Sequence, residues 1–429
     1  MPFWKNRQFP RGLKPALLLA LDGAAKGAPF QRSIYATGPS LAGATHGSYT
    51  EESPGNNMLL SGILPPITTP FYRDGEVYYK KLEHNVERYS RSPVAGIMVL
   101  GSSGEPLMLS DDEKRSVLKC AIESAAAEKV MIAGTGAESA IETLRLTEYA
   151  AELGYDVAIV RTPHYYKRQM QPLNMLSFYR FVADHSPLPV VIYNAPHTTG
   201  YDIPVDVVVE LAGHPNVIGI KESSGNLDKL RTIAGRTRHI HRAATVTERF
   251  EPVTGRMLKV DPNKPAAGLS GTPAGAAGSS EAALLPAEAL AAAASPSAKP
   301  SSTAVQVIGK LRTRQKDAGF QIMIGSAQQL HESLQVGATG ASLPFAGAAP
   351  GACFEIYAAF RDGDTRLAEQ KQQRITKAAA RIVGELGIPG LKYAMELNGY
   401  YGGNGRLPLL PLDAETKLEI ERLMADVRS

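Results

Sequence analysis

The chain has 429 residues, 44% of them hydrophobic, and a formal net charge of +4, so it can bury a sizeable core in one large domain or two to three ordinary ones. The small charge, with no dense Lys/Arg cluster interleaved with aromatics, argues against nucleic acid as a main partner. Cys120 and Cys353, far apart in apolar helix-like contexts, exclude a disulfide framework and a cysteine zinc site and fit a reducing compartment; no apolar run reaches the ~20 residues that span a bilayer.

In chain order, residues 1–57 stand apart. They carry Lys5, Arg7, Arg11, Lys14, Lys26 and Arg32, but Asp22 is the one acid before Glu51. Three readings fit: an organelle transit peptide, a disordered extension, or an upstream start codon preceding a true start near Met58. The expected location is cytoplasmic, or the mitochondrial matrix if the extension is a transit peptide.

From Ser61 a rhythm begins. Short apolar runs fall at "GILPPIT" (62–68), "AGIMVLG" (95–101), "VMIAGTG" (130–136), "DVAIVRTP" (156–163), "PVVIYNAP" (189–196) and "VIGIKES" (217–223). Stretches with helical spacing intervene, over 111–127, 139–153, 172–185 and 204–213. "SDDE" (110–113) reads as a capping box, with Ser110 at the cap and Glu113 three residues on. Continuous apolar strands alternating with helices indicate a parallel sheet buried on both faces.

After a helix over 227–237 the rhythm breaks into an insert at about 239–303. Its second half is nearly all Ala, Gly, Ser and Pro; such a stretch cannot bury enough apolar surface to offset its ordering entropy, and it reads as a mobile loop. The first half fits a hairpin or a short helix. The pattern then resumes with a helix (304–317), "FQIMIGS" (320–326), a helix (327–336) and "TGASLPFAG" (339–347). Eight strand–helix units predict an α/β fold, a (β/α)8 TIM barrel, over 58–347; an open doubly wound sheet is the alternative. Helices near 351–361, 364–386, 389–399 and 413–427 predict a C-terminal helical appendix over 348–429.

In such a barrel the reacting groups sit at the C-terminal ends of strands. Lys221 ends the sixth apolar run. Desolvation disfavours its ammonium form and leaves more free amine to attack a carbonyl, which suits Schiff-base chemistry on a 2-oxo acid. The competing reading is a structural lysine snorkelling to the rim. Tyr193 ends the adjacent run, where a phenol can pass protons. "GSSGEP" (101–106) ends the second. Its glycines admit a ligand, and its N–H groups and the hydroxyls of Ser102 and Ser103 make a place for a carboxylate.

At these residues the sequence resembles the pyruvate-dependent class I lyases that include dihydrodipicolinate synthase, N-acetylneuraminate lyase and 4-hydroxy-2-oxoglutarate aldolase. The matching pieces are "GSSGE" (101–105), "AGTGA" (133–137), "TPHYY" (162–166), "YNAPHTTG" (193–200), "GIKESSGN" (219–226), "GSA" (325–327) and "GIPGLKYAMELNGYYGGNGRLPLLPL" (387–412). The resemblance implies that Lys221 forms the Schiff base, Tyr193 shuttles protons, and Ser102 links it to a second tyrosine, Tyr165 or Tyr166, with Tyr166 preferred. Ser102, Ser103 and Gly104 would hold the pyruvate carboxylate, with Ser223 and Gly325 further substrate-binding positions. The second tyrosine reaches a neighbouring subunit in the synthases, which implies a homodimer or homotetramer. No cofactor and no metal are implied, and the partner is a small 2-oxo acid.

Departures from the synthase pattern bear on the substrate. Thr198, after His197, stands where the synthases carry an Arg for the incoming carboxylate, and a short neutral side chain cannot make that bidentate contact. "KESSG" places Ser223 two residues after the lysine. Both features, and the longer "PHYY" segment, resemble the 4-hydroxy-2-oxoglutarate aldolases, although Ser103 stands where those have Asn. The expected function is aldol cleavage or formation of a 4-hydroxy-2-oxo acid such as 4-hydroxy-2-oxoglutarate. The alternatives are 4-hydroxy-tetrahydrodipicolinate synthase, a non-catalytic pyruvate or sugar-acid binding protein, and a barrel enzyme holding phosphate in its Gly-rich turn.

Overall fold

The structure is a computed structural model that describes residues 57–249, 251–259, 306–308 and 311–427. Among these residues there are eleven strands: β1 (Gly62–Ile63), β2 (Gly96–Val99), β3 (Val130–Gly134), β4 (Val157–Arg161), β5 (Val190–Asn194), β6 (Val217–Glu222), β7 (Ala243–Thr247), β8 (Gln306–Ile308), β9 (Leu311–Asp317), β10 (Gln321–Ile324) and β11 (Gly340–Ala341). Eight of them form a parallel sheet in the order β1-β11-β10-β6-β5-β4-β3-β2. Its two ends meet through a parallel bridge between Pro66 and Met98, with Ile67 N donating to Met98 O and Met98 N to Pro65 O, both at 3.0 Å. This closure makes the sheet a barrel and removes the open-sheet alternative.

The strands are apolar on both faces because both faces are covered. Met98, Val130, Ile132, Val157, Ile159, Val191, Ile218 and Met323 pack together inside, in a cluster to which no helix contributes. Ile97, Val99, Met131, Ala158, Ile192 and Ile220 pack outward in the larger core that the helices share. The helices begin where polar caps satisfy their free N–H groups: Ser110 and Glu113 make the reciprocal capping box, and Ser139 and Asn226 cap Ala140–Leu153 and Leu227–Thr237.

One irregularity sets the site. The β5–β6 register steps from Val190↔Val217 to Val191↔Gly219, leaving Ile218 as an extra residue. Strand side chains alternate with a period of two, and a bulge shifts that parity. Ile218 and Lys221, three residues apart, therefore both face the interior.

The expected helix over 304–317 is replaced by β8 and β9, which form an antiparallel sheet in the order β7-β9-β8. "LRTRQKD" has helix-compatible composition, but pairing with "AATVT" of β7 decides its conformation, a tertiary override of a weak propensity. The first half of the insert contains the short helix Gly255–Leu258, while β7 takes β9, from beyond the insert, as its partner strand. The expectations for residues 1–56 and for the Ala/Gly/Ser/Pro stretch lie outside the described residues.

The small sheet covers the N-terminal ends of the barrel strands. Ala244 and Val246 pack on Leu59, just before β1. Thr254 Oγ1 donates to Ala127 O at 2.5 Å and Arg256 Nη1 to Ala126 O at 3.1 Å, just before β3. At the other end of the chain, Pro350–Arg361 follows β11 as the eighth barrel helix, and Thr365–Ala379, Gly387–Glu396 and Ala414–Met424 form the appendix.

Active sites of such barrels lie at the C-terminal face, away from this sheet. Deleting residues 262–303 should therefore leave the turnover expected from the resemblance nearly unchanged. A folded deletion protein that has lost most of its turnover, measured by a coupled assay that follows pyruvate in either direction, would contradict that placement.

Candidate active site

Three neighbouring strands place their last inward side chains in one row. Arg161 of β4 is in register with Tyr193 of β5, and Tyr193 with Lys221 of β6. Ile159 and Val191, two residues earlier, also pair and face inward, so the period of two carries Arg161 and Tyr193 to the same side.

Lys221 is 1% exposed. Its Nζ lies 3.7 Å from Met98 Sδ and 4.5 Å from the centroid of the Tyr193 ring. Burial lowers its pKa from the ordinary 10.5, and the Tyr193 phenol pulls it partly back up. The expected desolvated amine is thus in place. Tyr193, 7% exposed, has its hydroxyl 3.2 Å from Ser102 Oγ, so the expected serine–tyrosine link is formed.

Ser102 and Ser103 open the short turn Ser102–Gly104. The first N–H groups of a helical turn have no partner within it, and here they belong to these serines. The residues bracketing the turn are strained: Leu100 and Glu105 have φ of 58° and 55°, the two positive values among the described non-glycine residues. Such a conformation costs about 1–3 kcal/mol per residue and persists where its surroundings over-determine it. The surroundings here come from the C-terminal region and from Thr69, after β1. Glu105 pairs with the buried Lys392 at 2.6 Å and accepts from Arg406 N at 3.0 Å, and Gly104 O accepts from Thr69 Oγ1 at 2.6 Å.

Ser223 stands just beyond Lys221, and its buried Oγ has no hydrogen-bond partner among the described residues. Gly325 is required beside it, since a Cβ there would come within 2.0 Å of that oxygen. Glu222 braces the strand end from outside, accepting from Ser224 N at 2.7 Å and Asn194 Nδ2 at 2.9 Å. Tyr165 and Tyr166 are 74% and 63% exposed; neither lines the cavity above Tyr193, which is bounded by Ser102, Arg161, His164, Thr198, Ile388 and Leu409 among others. Within one chain the second tyrosine is therefore not brought to the site.

Sequence reasoning missed three groups here. Met98 lies inside the barrel against the lysine amine, and its position follows from alternation along β2. Arg161 carries the signal of Tyr193, a polar residue ending an apolar run. Lys392 has no sequence signal, because its burial depends on Glu105 from a distant turn. Among the described residues no three His, Cys, Asp or Glu side chains gather as metal ligands would.

A closed barrel with a dry lysine, a phenol and an amide-lined turn at its strand ends defines the architecture of a lysine Schiff-base lyase. The model of the dihydrodipicolinate synthetase family matches residues 59–246 and 297–427. The chain belongs to that family, whose members are class I aldolases and lyases that use pyruvate. It is 28% identical, over 83% of its length and 94% of the relative's, to a 4-hydroxy-tetrahydrodipicolinate synthase of Methanococcoides burtonii. Its fold matches the dihydrodipicolinate synthase of Bacillus anthracis (TM-score 0.64, 20% identity, 86% and 99% of the two chains). It also matches that of Acinetobacter baumannii, solved with pyruvate (TM-score 0.63, 24% identity, 86% and 99%). No helix among the described residues is long and apolar enough to cross a membrane.

The lysine environment gives a pH prediction. Only the free amine attacks, so imine formation with pyruvate should rise with pH along a limb whose midpoint lies below 10.5. Met98→Gln would set an amide oxygen beside Nζ, stabilise the ammonium and move that limb to higher pH. Borohydride trapping across a pH series measures it, and an unmoved limb would mean the thioether contact has no part in holding the amine neutral.

Proposed function

We propose that the protein catalyses reversible aldol cleavage of a 4-hydroxy-2-oxo acid, with 4-hydroxy-2-oxoglutarate as the type substrate, to pyruvate and an aldehyde. The observation that carries this is the buried Lys221 amine one strand from Tyr193, whose hydroxyl is 3.2 Å from Ser102 Oγ. The substrate's 2-oxo group condenses with Lys221 and releases water. Tyr193 takes the C4 hydroxyl proton, the C3–C4 bond breaks, and its electrons pass to the iminium. The resulting enamine is protonated at C3 and hydrolysed to pyruvate and free lysine. Ser102, Ser103 and the backbone of Gly104 hold the C1 carboxylate, and the unpaired Ser223 hydroxyl offers a hydrogen bond to the bound substrate.

Thr198 favours this substrate class over aspartate semialdehyde, because it lines the cavity where a synthase would present an arginine. The second reading, 4-hydroxy-tetrahydrodipicolinate synthase, draws its support from the names of the relatives. Exposed Tyr165 and Tyr166 support assembly as a dimer or dimer of dimers, with Tyr166 completing a neighbour's proton relay.

The test pairs trapping with turnover. Pyruvate and borohydride should add mass to Lys221, and Lys221→Met should abolish the adduct. Tyr193→Phe should lower kcat on 4-hydroxy-2-oxoglutarate by about 10²- to 10⁴-fold, the usual size of acid–base assistance. An adduct with faster turnover of pyruvate plus aspartate semialdehyde would replace the proposal by the synthase; absence of an adduct in the unmodified protein would leave a binding protein.

A further inference from the structure

The cavity above Tyr193 has an apolar wall (Pro106, Leu107, Ile388 and Leu409) but also a cation that the synthase motif does not supply. Arg161 ends β4 one strand from Tyr193, in the same inward row, and its side chain is 15% exposed. Adjacent strands lie about 4.8 Å apart, so a guanidinium on β4 can reach a group bonded to the carbon whose hydroxyl Tyr193 deprotonates.

The arginine is held but not saturated. Its Nη1 donates to Glu138 Oε1 at 3.2 Å and lies 2.8 Å from His164 Nδ1. Among the described residues nothing accepts from its Nε or Nη2. Glu138 is meanwhile occupied elsewhere: Oε2 accepts from the N–H groups of His164 and Tyr165, both at 3.0 Å, and Oε1 lies 2.5 Å from His164 Nδ1. The carboxylate therefore orients Arg161 and fixes the 164–165 backbone, while one edge of the guanidinium keeps donors for a ligand. Gly136 is what lets the arginine sit there, since a Cβ at that position would come within 2.4 Å of Arg161 N and 2.8 Å of its Cγ. The charged or titratable groups that bond it are thus Glu138 and His164, and Lys221 and Tyr193 lie along the row. Glu105, also on the cavity wall, is neutralised by Lys392.

We propose that Arg161 is a specificity-determining residue that binds a second carboxylate, carried on or next to the hydroxyl-bearing carbon, so that the preferred substrates are 4-hydroxy-2-oxo diacids and the aldehyde product bears its own acid group. This rests on the aldol reading above. It relocates the distal-acid contact from the loop at Thr198 to the end of β4. A planar guanidinium with free donors on one edge suits a carboxylate bidentately, whereas a neutral polyol or methyl terminus would leave it unpaired in a largely apolar cavity.

The experiment compares 4-hydroxy-2-oxoglutarate with 4-hydroxy-2-oxopentanoate, which ends in a methyl group, on the unmodified protein, Arg161→Met and Arg161→Lys. The unmodified protein should prefer the diacid. Arg161→Met should lower kcat/KM for the diacid on the order of 10- to 100-fold, as loss of a charge-assisted contact does, and far less for the methyl-ended acid; Arg161→Lys should restore part of the preference. Equal losses on both substrates would overturn the proposal and make Arg161 a brace for the adjoining loop. So would an unmodified protein indifferent to the second acid, a result that does not depend on the variants folding. Pyruvate trapping at Lys221 separates the two levels: an adduct without diacid preference sinks this inference alone, and no adduct sinks the aldol reading beneath it.

Discussion

An amine buried in a protein interior stays nucleophilic only if nothing nearby rewards its protonation. Among the described residues, Lys221 and Lys392 are at most 1% exposed and answer this constraint in opposite ways. Lys392 is surrounded by oxygen: Glu105 at 2.6 Å, Thr69 O at 2.9 Å and Asn404 O at 2.9 Å. Burial lowers its pKa, but the carboxylate raises it, and the ammonium form is what its three partners require. Lys221 meets a thioether and an aromatic face, and its one ionisable neighbour is a phenol. A sulfur at 3.7 Å is a weak acceptor, so desolvation dominates. Both side chains are buried lysines, and the atoms within reach of Nζ make one a structural cation and give the other little that favours its protonation, as its proposed role as nucleophile requires.

The two lysines are mechanically joined. Lys392 and Arg406, both from the C-terminal region, hold Glu105, and Glu105 terminates the strained turn that carries Ser102. Ser102 in turn meets the Tyr193 hydroxyl beside Lys221. The appendix therefore contributes to the site without touching the Lys221 amine, by offsetting the cost of two left-handed residues around "GSSG". Breaking a buried pair by removing one partner typically costs about 3–5 kcal/mol, more than the strain of either residue, so the pair is large enough to enforce the turn.

The sequence displayed the barrel because parallel strands covered on both faces must be continuous apolar runs, and the polar residues ending those runs mark the catalytic face. Lys221, Tyr193 and the Ser102–Ser103 turn were legible for that reason. Which way each side chain points was less so. Counting by twos from the interior Ile218 would turn Lys221 outward; only the extra residue in the β5–β6 register corrects the parity, and a bulge leaves no residue signature in "VIGIKES". Arg161 shows the limit differently. It ends its run as Tyr193 does, but Thr162 and Pro163 follow and make it read as the first residue of a loop. Leu311–Asp317 was opaque because "LRTRQKD" has no clear period of either kind, so its conformation comes from a partner strand more than sixty residues earlier.

The insert shows how the barrel separates stability from chemistry. The family model passes over residues 247–296; β7 packs on the segment leading into β1, and Thr254 and Arg256 bond the segment leading into β3. Lengthening a connection costs loop-closure entropy that grows only with the logarithm of its length, and that cost is met locally by burying Ala244 and Val246 against Leu59. No residue of the row Arg161–Tyr193–Lys221 takes part in those contacts. An addition at the strand starts can therefore change size and surface freely, whereas a comparable addition at the strand ends would have to displace the appendix that holds Glu105. The asymmetry follows from where the strained turn and the dry amine are, at one end of the same eight strands.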